Sequence, residues 1–578
     1  MMSDGSKKPY AVEVRLNRRK LLGTMAAGAA TLVLPCRRAR AENAQAPRRP
    51  NIVLIIADDQ GYGDIGCHGN EKIRTPNLDR LARESVEFTQ FYVSPVCSPT
   101  RASLMTGRYN YRTGVVDTYL GRSMMHPDEV TLAEILAKAG YRTGIFGKWH
   151  LGDNYPMRPI DQGFQEALVH KGGGIGQPSD PPGGNSYFDP ILQHNGVQEK
   201  FSGYCTDVFT GAAMRFIEDS RHHPFFVYLA TNAPHTPLQI SESYVSPYLE
   251  MGLDETTAKV YGMVANIDEN VGRLLAGLKK SGLEENTIVI FLTDNGPQQE
   301  RYNCGLRGRK GTVYEGGIRV PCFVRWPAML KSGRNIDRIA AHIDILATLL
   351  DACGVAIPGG LLLDGVSLLP LLRGQNVPWP DRTLFFQWHR GDVPELYRAC
   401  AARSQRYKLV NGKELYDTAT DPGETNDIAA THPDIVERLL AAYEKWFRDV
   451  SATRGYDPPR IYLGTRFENP VTLTRQDWRG PRAGWGNDSL GHWEVFVQQA
   501  GDCAVTLRFA PTRAETAVHF KLGNVNLSQT VKTGSETCRF DSVRLETGEV
   551  RLEAWLGSGE KSVGVSYVDV ERLDGRGQ

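Results

Sequence analysis

The stretch Asn51–Asp64, NIVLIIADDQGYGD, decides the fold class of this chain. Residues 51–56 form a nearly continuous apolar run rich in β-branched side chains, which is typical of a strand buried on both faces. Two acidic residues, Asp58 and Asp59, follow where this strand should end. The stretch therefore predicts a central strand of an α/β sheet with polar groups at its carboxyl end.

Two later stretches repeat this combination of a buried strand and polar residues. His235 follows the run in HPFFVYLATNAPHTP, and Asp294 and Asn295 follow the run in NTIVIFLTDNGP. Helix-length periodic segments lie between such runs, for example TLAEILAKAG and GMVANIDENVGRLLAGLKKSG. Alternating strands and helices predict an α/β fold with a mostly parallel sheet. Ligands of such sheets bind beyond the carboxyl ends of the strands, so these polar residues should share one rim.

The four polar residues at the ends of two strands are all oxygen donors: Asp58, Asp59, Asp294 and Asn295. Hard cations such as Ca²⁺ and Mg²⁺ prefer carboxylate and amide oxygens, whereas zinc prefers His and Cys. An acid pair at one strand end is more often a helix cap or a solvated turn. The second acidic pair, at another strand end, favours a divalent-cation site.

Composition excludes some functions. The chain has 578 residues and a formal net charge of +1. This small net charge argues against non-specific electrostatic binding to nucleic acid or to an anionic membrane. Of its ten cysteines, Cys36 lies near the start, and the others show no CxxC pairs or regular spacing, so no zinc knuckle or disulfide framework is indicated. Cys503 and Cys538 lie in one late segment and could form a bridge, although spacing does not fix connectivity.

Residues 1–41 read as a targeting segment. Arg18 and Arg19 precede an apolar run from Leu21 to Leu34, and small residues follow at Ala39 and Ala41. The run is shorter than the ~20 residues that span a bilayer, and paired arginines before it resemble a twin-arginine signal. We expect export to the periplasm or the extracellular space, without membrane insertion. The alternative is that this N-terminal segment is basic and amphipathic but is not a targeting signal.

Three further regions follow. Residues 50–382 should form the main α/β domain, 383–455 a smaller antiparallel sheet with a helix, and 470–578 a β-sandwich of short alternating strands such as VTLRF and EVRLEAW. Trp478, Trp485 and Trp493 could stack on sugar rings from the sandwich. We favour the alternative that they belong to the core or to the contact with the main domain.

The stretch VSPVCSPTRASLMTGRY contains Cys97 at or just before the start of a predicted helix. A helix N-terminus lowers the pKa of a thiol, so Cys97 could be a thiolate nucleophile. It could equally be a buried core thiol or half of a disulfide. Thiolate phosphatase loops place five residues between Cys and Arg, but only three separate Cys97 from Arg101.

The whole local string, CSPTR followed by LMTGR, resembles the C-x-P-x-R signature of type I sulfatases, members of the alkaline phosphatase superfamily. Four other segments resemble this family in the same order: NIVLIIADDQGYGD, GYRTGIFGKWHLG, NAPHTP with FLTDNGP, and LRGRKGTVYEGGIRVP. The resemblance spans roughly residues 51–450 and leaves out the terminal β-rich part. It implies an alkaline-phosphatase-like fold.

The resemblance also implies the site. A maturation enzyme would convert Cys97 to formylglycine, whose hydrate attacks sulfur, and one divalent cation, Ca²⁺ before Mg²⁺, would bind Asp58, Asp59, Asp294 and Asn295 together with residue 97. Arg101, Lys148 and Lys310 would supply positive charge around the sulfate. His235 with Lys310 would protonate the leaving alcohol, and His150 would accept a proton from the remaining diol hydroxyl, so that sulfate leaves by elimination and the aldehyde is restored. The implied site residues are Asp58, Asp59, Cys97, Arg101, Lys148, His150, His235, Asp294, Asn295 and Lys310.

The sequence therefore predicts an arylsulfatase-like sulfuric ester hydrolase. Its substrate is expected to be a sulfate ester, for which export and the β-sandwich favour a sulfated carbohydrate. One alternative is a phosphonate monoester or phosphodiester hydrolase, because relatives with this fold use the same nucleophile on phosphorus. The other is a non-catalytic carbohydrate-binding relative, which retention of Cys97 and the acidic residues disfavours.

Overall fold

A computed structural model describes residues 49–573, so the predicted targeting segment lies outside the described residues. The largest sheet has ten strands, and its five central strands run parallel. In spatial order the ten are Arg334–Ile336, Val86–Phe88, Cys322–Arg325, Thr287–Thr293, Asn51–Ala57, Phe225–Ala230, Arg142–Lys148, Glu166–His170, Ile191–His194 and Val197–Lys200.

The strand Asn51–Ala57 lies in the middle of this sheet and is buried on both faces. Ile52, Leu54 and Ile56 belong to the core on one face. Val53, Ile55 and Ala57 belong to the core on the other. Because successive side chains of a strand point to opposite faces, a strand between two apolar cores needs an uninterrupted apolar run, as its sequence shows.

Helices cover both faces of the sheet and supply the rest of these two cores. Residues 262–282, predicted as a helix, lie in Glu255–Lys280, and Gly282 beyond its end has φ 67°, the left-handed conformation that glycine favours. The helices are Pro76–Arg83, Cys97–Thr106, Leu132–Lys138, Cys205–Asp219, Glu242–Glu250, Glu255–Lys280, Glu315–Ile318, Asp344–Ala352, Leu369–Leu372 and Pro433–Ala452.

Two smaller sheets adjoin the large one. A three-stranded sheet joins Arg319–Val320, Phe91–Tyr92 and Ala340–Ala341. An antiparallel four-stranded sheet packs against the helix Pro433–Ala452, as the sequence predicted for this region. Its strands are Leu384–Gln387, Cys400–Arg403, Tyr407–Val410 and Glu414–Asp417.

The last part of the described chain is a β-sandwich. Its first sheet comprises Ile461–Leu463, Leu490–Val497, Gly548–Leu556, Thr516–Leu522 and Val525–Val531, with Arg479–Arg482 and Val563–Gly564 at its sides. Its second sheet comprises Val471–Thr474, Tyr567–Arg572, Gly501–Arg508 and Thr537–Leu545. The two sheets share one core, and Leu120, Met124 and Met157 of the preceding part also belong to it. The sandwich is therefore continuous with the α/β part through apolar contacts.

Two expectations about the sandwich can be judged. Trp478 and Trp493 are fully buried in its core, and Trp485, which is 39% exposed, packs edge-on against the ring of Tyr119 in the preceding part at 5.3 Å, so the interpretation as core or contact residues is confirmed. The expected bridge between Cys503 and Cys538 is wrong. The register of the second sheet places Cys503 opposite Val543 and Cys538 opposite Leu507, which leaves the two sulfurs at different positions along the ladder.

The structure confirms the predicted fold class, a large mixed sheet flanked by helices with additional antiparallel sheets. The described residues, 49–573, form one compact unit by their contacts, and the domain boundaries at residues 382, 455 and 470 stay predictions. Among the described residues, no helix combines the length and the apolarity needed to cross a bilayer.

Candidate active site

The carboxyl ends of three central strands, Thr287–Thr293, Asn51–Ala57 and Arg142–Lys148, place charged groups close together. Ala57 pairs with Thr293, so Asp58 and Asp294 leave the sheet at the same level. Lys148 ends the strand Arg142–Lys148, and its Nζ donates a hydrogen bond to Oδ2 of Asp58 at 2.6 Å. All three side chains are completely buried. The predicted convergence at one rim is therefore present.

The acidic residues at this rim leave oxygen atoms without partners. Oδ1 of Asp58 and Oδ1 of Asn295 are buried and accept no hydrogen bond. Ligand atoms of Asp58, Cys97 and Asp294 lie within 4.8 Å of one another, and those of Asp58, Asp59 and His235 do so as well. Burial, and next to it the charge of Asp58, raises the pKa of Asp294 to about 6. Buried carboxylate and amide oxygens without hydrogen-bond partners fit a hard divalent cation.

Asp59 is held between an amide and a cation. Its backbone has φ 65°, a strained conformation that non-glycine residues adopt mainly at functional sites. Nδ2 of Asn295 donates to Oδ1 at 2.8 Å, and Nζ of Lys310 donates to Oδ2 at 2.8 Å. Burial acts to raise the pKa of Asp59, but Lys310, His235 and Lys148 together lower it, so Asp59 stays ionised. Burial acts to lower the pKa of Lys310, but the negative charge of Asp59 outweighs it and raises this pKa, so Lys310 stays protonated.

Cys97 is the first residue of the helix Cys97–Thr106 and is 2% exposed. The predicted position at a helix start is thus present. Burial raises the pKa of its thiol by more than Lys148 and Lys310 lower it. A thiol with a raised pKa is a poor nucleophile, so the interpretation as a thiolate nucleophile finds no support.

Arg101 is completely buried and points at the acidic rim rather than at open space. Its Nε and Nη2 donate to Oδ2 of Asp294 at 3.1 and 2.8 Å, and its Nη1 donates to the carbonyl of Lys148 at 2.8 Å. The guanidinium therefore fixes Asp294 and the end of the Lys148 strand. The expectation that Arg101 surrounds the sulfate with positive charge applies more directly to Lys148 and Lys310.

His150 presents an unpaired ring nitrogen inside the site. Its backbone has φ 61°, and its Nε2 lies 2.7 Å from the carbonyl oxygen of Thr118, which makes Nε2 the protonated nitrogen. Nδ1 is buried without a partner. Burial, reinforced by Lys148, lowers the pKa of His150 well below its usual value. His150 is therefore a neutral imidazole whose free lone pair is at Nδ1.

His235 is held in the opposite tautomer. Nδ1 lies 2.6 Å from the carbonyl oxygen of Thr236 and donates to it, while Nε2 lies 3.8 Å from Oδ2 of Asp59. Burial, followed by the charge of Lys310, lowers the pKa of His235 to about 3. His235 is neutral without a ligand, so the proton at this end of the site is on Lys310.

A glycine-rich loop, missed as a functional element by the sequence analysis, contacts both histidines. A methyl group built on Gly173 would lie 2.6 Å from Cε1 of His150, and one built on Gly174 would lie 2.9 Å from Cε1 of His235. The signal that could have found it is the glycine-rich run KGGGIG at residues 171–176. The structure thus brings the ten predicted residues together, and their catalytic roles stay predictions.

The chain matches two protein-family models. The model described as "Sulfatase" matches residues 50–355, and the model described as "N-sulphoglucosamine sulphohydrolase, C-terminal" matches residues 309–446. Human arylsulfatase A is 34% identical over 432 residues, which cover 68% of this chain and 82% of that protein. Mouse N-acetylgalactosamine-6-sulfatase is 32% identical over 424 residues, which cover 67% of this chain and 78% of that protein.

A solved structure gives the same result at the level of the fold. The crystal structure of Ps i-CgsB in complex with k-i-k-neocarrahexaose superposes with a TM-score of 0.64 at 30% identity. The match covers 71% of this chain and 95% of that structure. Both family models end before Ile461, so the β-sandwich lies outside the matched residues.

Proposed function

This chain belongs to the sulfatase family and is a sulfuric ester hydrolase, and from that premise we propose that it removes sulfate from a sulfated carbohydrate with an oxygen nucleophile made from Cys97. The observation that carries the proposal is the buried cluster around Cys97. Two lysine amines paired with carboxylates, two neutral histidines and unpaired carboxylate and amide oxygens surround one helix N-terminus.

Asp58, Asp59, Asp294 and Asn295 would hold a divalent cation, for which we propose Ca²⁺, together with an oxygen of residue 97. Such a cation polarises a sulfate oxygen and offsets the negative charge of the site. We further propose that a maturation enzyme converts Cys97 to formylglycine, which supplies an oxygen nucleophile in place of the thiol. The raised pKa of Cys97 and its full burial support this assignment over a thiolate.

Lys148 and Lys310 provide fixed positive charge for the sulfate and for the charge that develops on the leaving oxygen. Each amine is already paired with a carboxylate, Lys148 with Asp58 and Lys310 with Asp59, so no side chain must reorganise when the ester binds. Preorganised charge in a site shielded from water is worth far more than the same charge in solvent.

Two proton transfers fall to the opposite ends of the site. His150 would accept a proton at Nδ1 from the diol hydroxyl that does not attack sulfur, because Nε2 is committed to the carbonyl of Thr118; loss of this proton would expel the bound sulfate and restore the aldehyde. Lys310 would supply the proton for the leaving alcohol, and a bound sulfate anion would also favour protonation of His235 at Nε2. Geometry and protonation state thus support His150 as the base and Lys310 as the acid.

A sulfated carbohydrate is proposed as the substrate because of the relatives. Mouse N-acetylgalactosamine-6-sulfatase is named for a sulfated sugar, and the Ps i-CgsB structure contains an oligosaccharide. Export through the segment of residues 1–41 remains part of the proposal and would bring the enzyme to extracellular polysaccharides.

Mass spectrometry of the peptide that contains residue 97, from protein made in its native host, tests the nucleophile. The conversion of thiol to aldehyde removes about 18 Da. An unmodified thiol in fully active protein would contradict the proposal. Cys97→Ala should be inactive and serves as the reference for background hydrolysis.

Comparison of 4-nitrophenyl sulfate with a phenyl phosphonate monoester tests the reaction class. We expect the sulfate ester to be hydrolysed with the higher kcat/KM, and activity lost to a chelator to return best with Ca²⁺. Much faster phosphonate cleavage would favour the alternative hydrolase. Full activity after exhaustive chelation, with no cation detected by elemental analysis, would refute the cation site.

A further inference from the structure

A polar cavity of about 240 Å³ lies between the loop of residues 171–185 and the β-sandwich. Nearly all of its lining residues carry hydrogen-bonding side chains, and few are apolar, which suits sugar hydroxyls better than an aryl group. The residues that matter here are Lys171, Ser179 and Asp180 from the loop and Thr472, Arg508 and Tyr567 from the sandwich.

The loop that lines this cavity is the loop that contacts the catalytic histidines. Its glycines at 173 and 174 lie against His150 and His235. Farther along, the carboxylate of Asp180 accepts a hydrogen bond from the amide of Gly176 at 2.5 Å, and its carbonyl accepts one from Tyr567 Oη at 2.9 Å. One short segment therefore joins the reaction site to the cavity.

The charged side chains that line the cavity differ in how many hydrogen-bond and ion-pair partners they have. Asp569 accepts hydrogen bonds from Oγ1 of Thr472 and from Nε of Arg508, both at 2.7 Å. The side chain of Arg508 is still 44% exposed and keeps donors free. Lys171 makes no ion pair within 4.0 Å with any residue of the described chain. The charge of Lys171 also acts on buried Asp153 and Asp477, and Arg508 is paired with Asp569, so the cavity presents two partly neutralised cations to a ligand.

We propose that this cavity binds the sugar adjoining the one whose sulfate is cleaved, through an anionic substituent, a second sulfate or a carboxylate, held by Lys171 and Arg508. The inference rests on the proposed function and specifies its substrate class as a multiply charged oligosaccharide rather than a monosaccharide or an aryl ester. Arg508 lies in the sandwich, so the appended domain helps to set specificity.

Arg508→Met and Lys171→Met test the proposal against a panel of sulfated di- to hexasaccharides from glycosaminoglycans and carrageenans. For the best oligosaccharide, we expect each variant to lower the ratio of its kcat/KM to that for 4-nitrophenyl sulfate about tenfold, the effect of one charge-assisted contact. Arg551→Met is the matched control, because Arg551 pairs with Glu494 on the sandwich away from the cavity and should leave the ratio unchanged.

Two results would overturn the subsite. One is an unchanged ratio in both Arg508→Met and Lys171→Met when their melting temperatures equal that of the wild type. The other is wild-type enzyme that hydrolyses 4-nitrophenyl sulfate but no oligosaccharide in the panel. Absence of hydrolysis of 4-nitrophenyl sulfate and of every oligosaccharide would instead refute the proposed function itself.

A separate contact links the sandwich to the proposed base. Nε2 of Gln476 donates a hydrogen bond at 3.0 Å to the carbonyl oxygen of Thr118, the same atom that accepts from Nε2 of His150. Gln476 is 1% exposed, and its own backbone carbonyl accepts from the amide of Gly121 at 2.9 Å. Gln476 of the sandwich thus holds the backbone at Gly121 and the carbonyl of Thr118. This carbonyl selects the tautomer of His150.

The geometry points to Gln476 as a positioning residue for His150, acting through the carbonyl of Thr118. Gln476→Met keeps the shape of the side chain but removes the donor. We expect kcat for 4-nitrophenyl sulfate to fall about tenfold while KM stays within twofold, since a base that is misaligned slows chemistry rather than binding. Gln476→Glu, which sets an acceptor against the carbonyl, should be slower still.

Arg479→Met is the control for general loosening of this contact. Arg479 donates to the carbonyl of Gly121 at 3.1 Å and so supports the same loop without contacting Thr118. The Arg479→Met variant should lower the melting temperature at least as much as Gln476→Met does, but its kcat should stay within twofold of the wild-type value. Equal kcat in Gln476→Met and the wild type, or an equal loss of kcat in Arg479→Met, would contradict the assignment.

Discussion

At the scale of the residue, the site depends on glycines, which leave space for the catalytic side chains, as well as on those side chains themselves. Gly174 lies so close to His235 that a Cβ atom would fall 2.9 Å from its ring. Nδ1 of that ring is anchored to the carbonyl of Thr236 at 2.6 Å, so the ring cannot retreat without breaking this bond. Displacement of a catalytic group by a fraction of an ångström is costly, because proton transfer requires hydrogen-bond reach.

Gly174→Ala should therefore lower kcat/KM for 4-nitrophenyl sulfate by about 100-fold, with little change in melting temperature. Steady-state kinetics and thermal unfolding measure the two quantities. Gly359→Ala is the matched control, because nothing lies within 4 Å of the position that its Cβ atom would take and its φ is unstrained, so activity should be retained. Wild-type activity in Gly174→Ala would show that the loop does not confine His235.

Sequence reasoning identified the residues of the site better than their individual tasks. Local strings such as CSPTR and FLTDNG were sufficient to select Cys97, Arg101 and Asp294, because strand ends and helix starts are local features. The pairing of Arg101 with Asp294 depends on side-chain directions in the folded state and has no local signal. Gln476 was missed for a similar reason, since 358 positions separate it from Thr118.

At the scale of the element, a buried charge network joins the four-stranded sheet to the short helix Glu315–Ile318. Nζ of Lys408, on the strand Tyr407–Val410, lies 3.2 Å from Oε1 of Glu315 and 2.8 Å from Oε1 of Glu424, with all three side chains at most 1% exposed. Burial raises the pKa of Glu424, which Lys408 opposes, whereas Lys408 and Arg403 outweigh burial at Glu315 and lower its pKa.

Lys408→Met should destabilise the protein by about 3–5 kcal/mol, because it leaves two buried carboxylates without their shared cation. Urea unfolding at pH 7 measures the loss. Lys413→Met, an exposed lysine on the turn that follows the same strand, should change the free energy of unfolding by less than about 0.5 kcal/mol. Similar stability of Lys408→Met and the wild type would mean that the network is not ionised as described.

The elements themselves were predictable in proportion to their burial. Continuous apolar runs revealed the strands Asn51–Ala57, Phe225–Ala230 and Thr287–Thr293, because a strand packed between two cores is apolar over most of its length. The outer strands Ile191–His194 and Val197–Lys200 were not predicted. They are short, the second is exposed throughout, and their pairing comes from the neighbouring strand rather than from their own sequence.

At the scale of the whole molecule, several buried histidines oppose folding in acid. Burial lowers the pKa of His170, His235 and His342 to about 3. The unfolded chain binds protons on these groups below its ordinary pKa of about 6.5, while the folded protein does not. Stability is therefore fully present above pH 6.5 and is lost as the pH falls toward 3.

The contribution of these histidines to the free energy of unfolding should accordingly fall between pH 7 and pH 4.5, whereas buried Asp180, Asp268 and Asp294, whose pKa values are raised to about 6, contribute in the opposite direction; urea titration of the wild type and of a histidine variant separates the two. His342→Gln should reduce this pH dependence, since His342 packs near Ser94 and Phe386 rather than among the acidic residues at the strand ends. His222→Gln is the control, because His222 is exposed and should leave the slope unchanged. A slope in His342→Gln equal to that of the wild type would refute the attribution.

The β-sandwich poses the last question at this scale, whether the catalytic part can fold without it. Leu120, Met124 and Met157 are at most 5% exposed and belong to the core of the sandwich, so its removal would expose them together. Deletion of residues 459–578 should therefore give protein that aggregates, or a soluble remnant with lower kcat because Thr118 loses its contact with Gln476. Size-exclusion chromatography, thermal unfolding and 4-nitrophenyl sulfate turnover distinguish these outcomes. A monodisperse truncated protein with wild-type kcat would show that the sandwich is an independent appendage, because exposed core residues and a lost contact to the proposed base should each have a measurable effect.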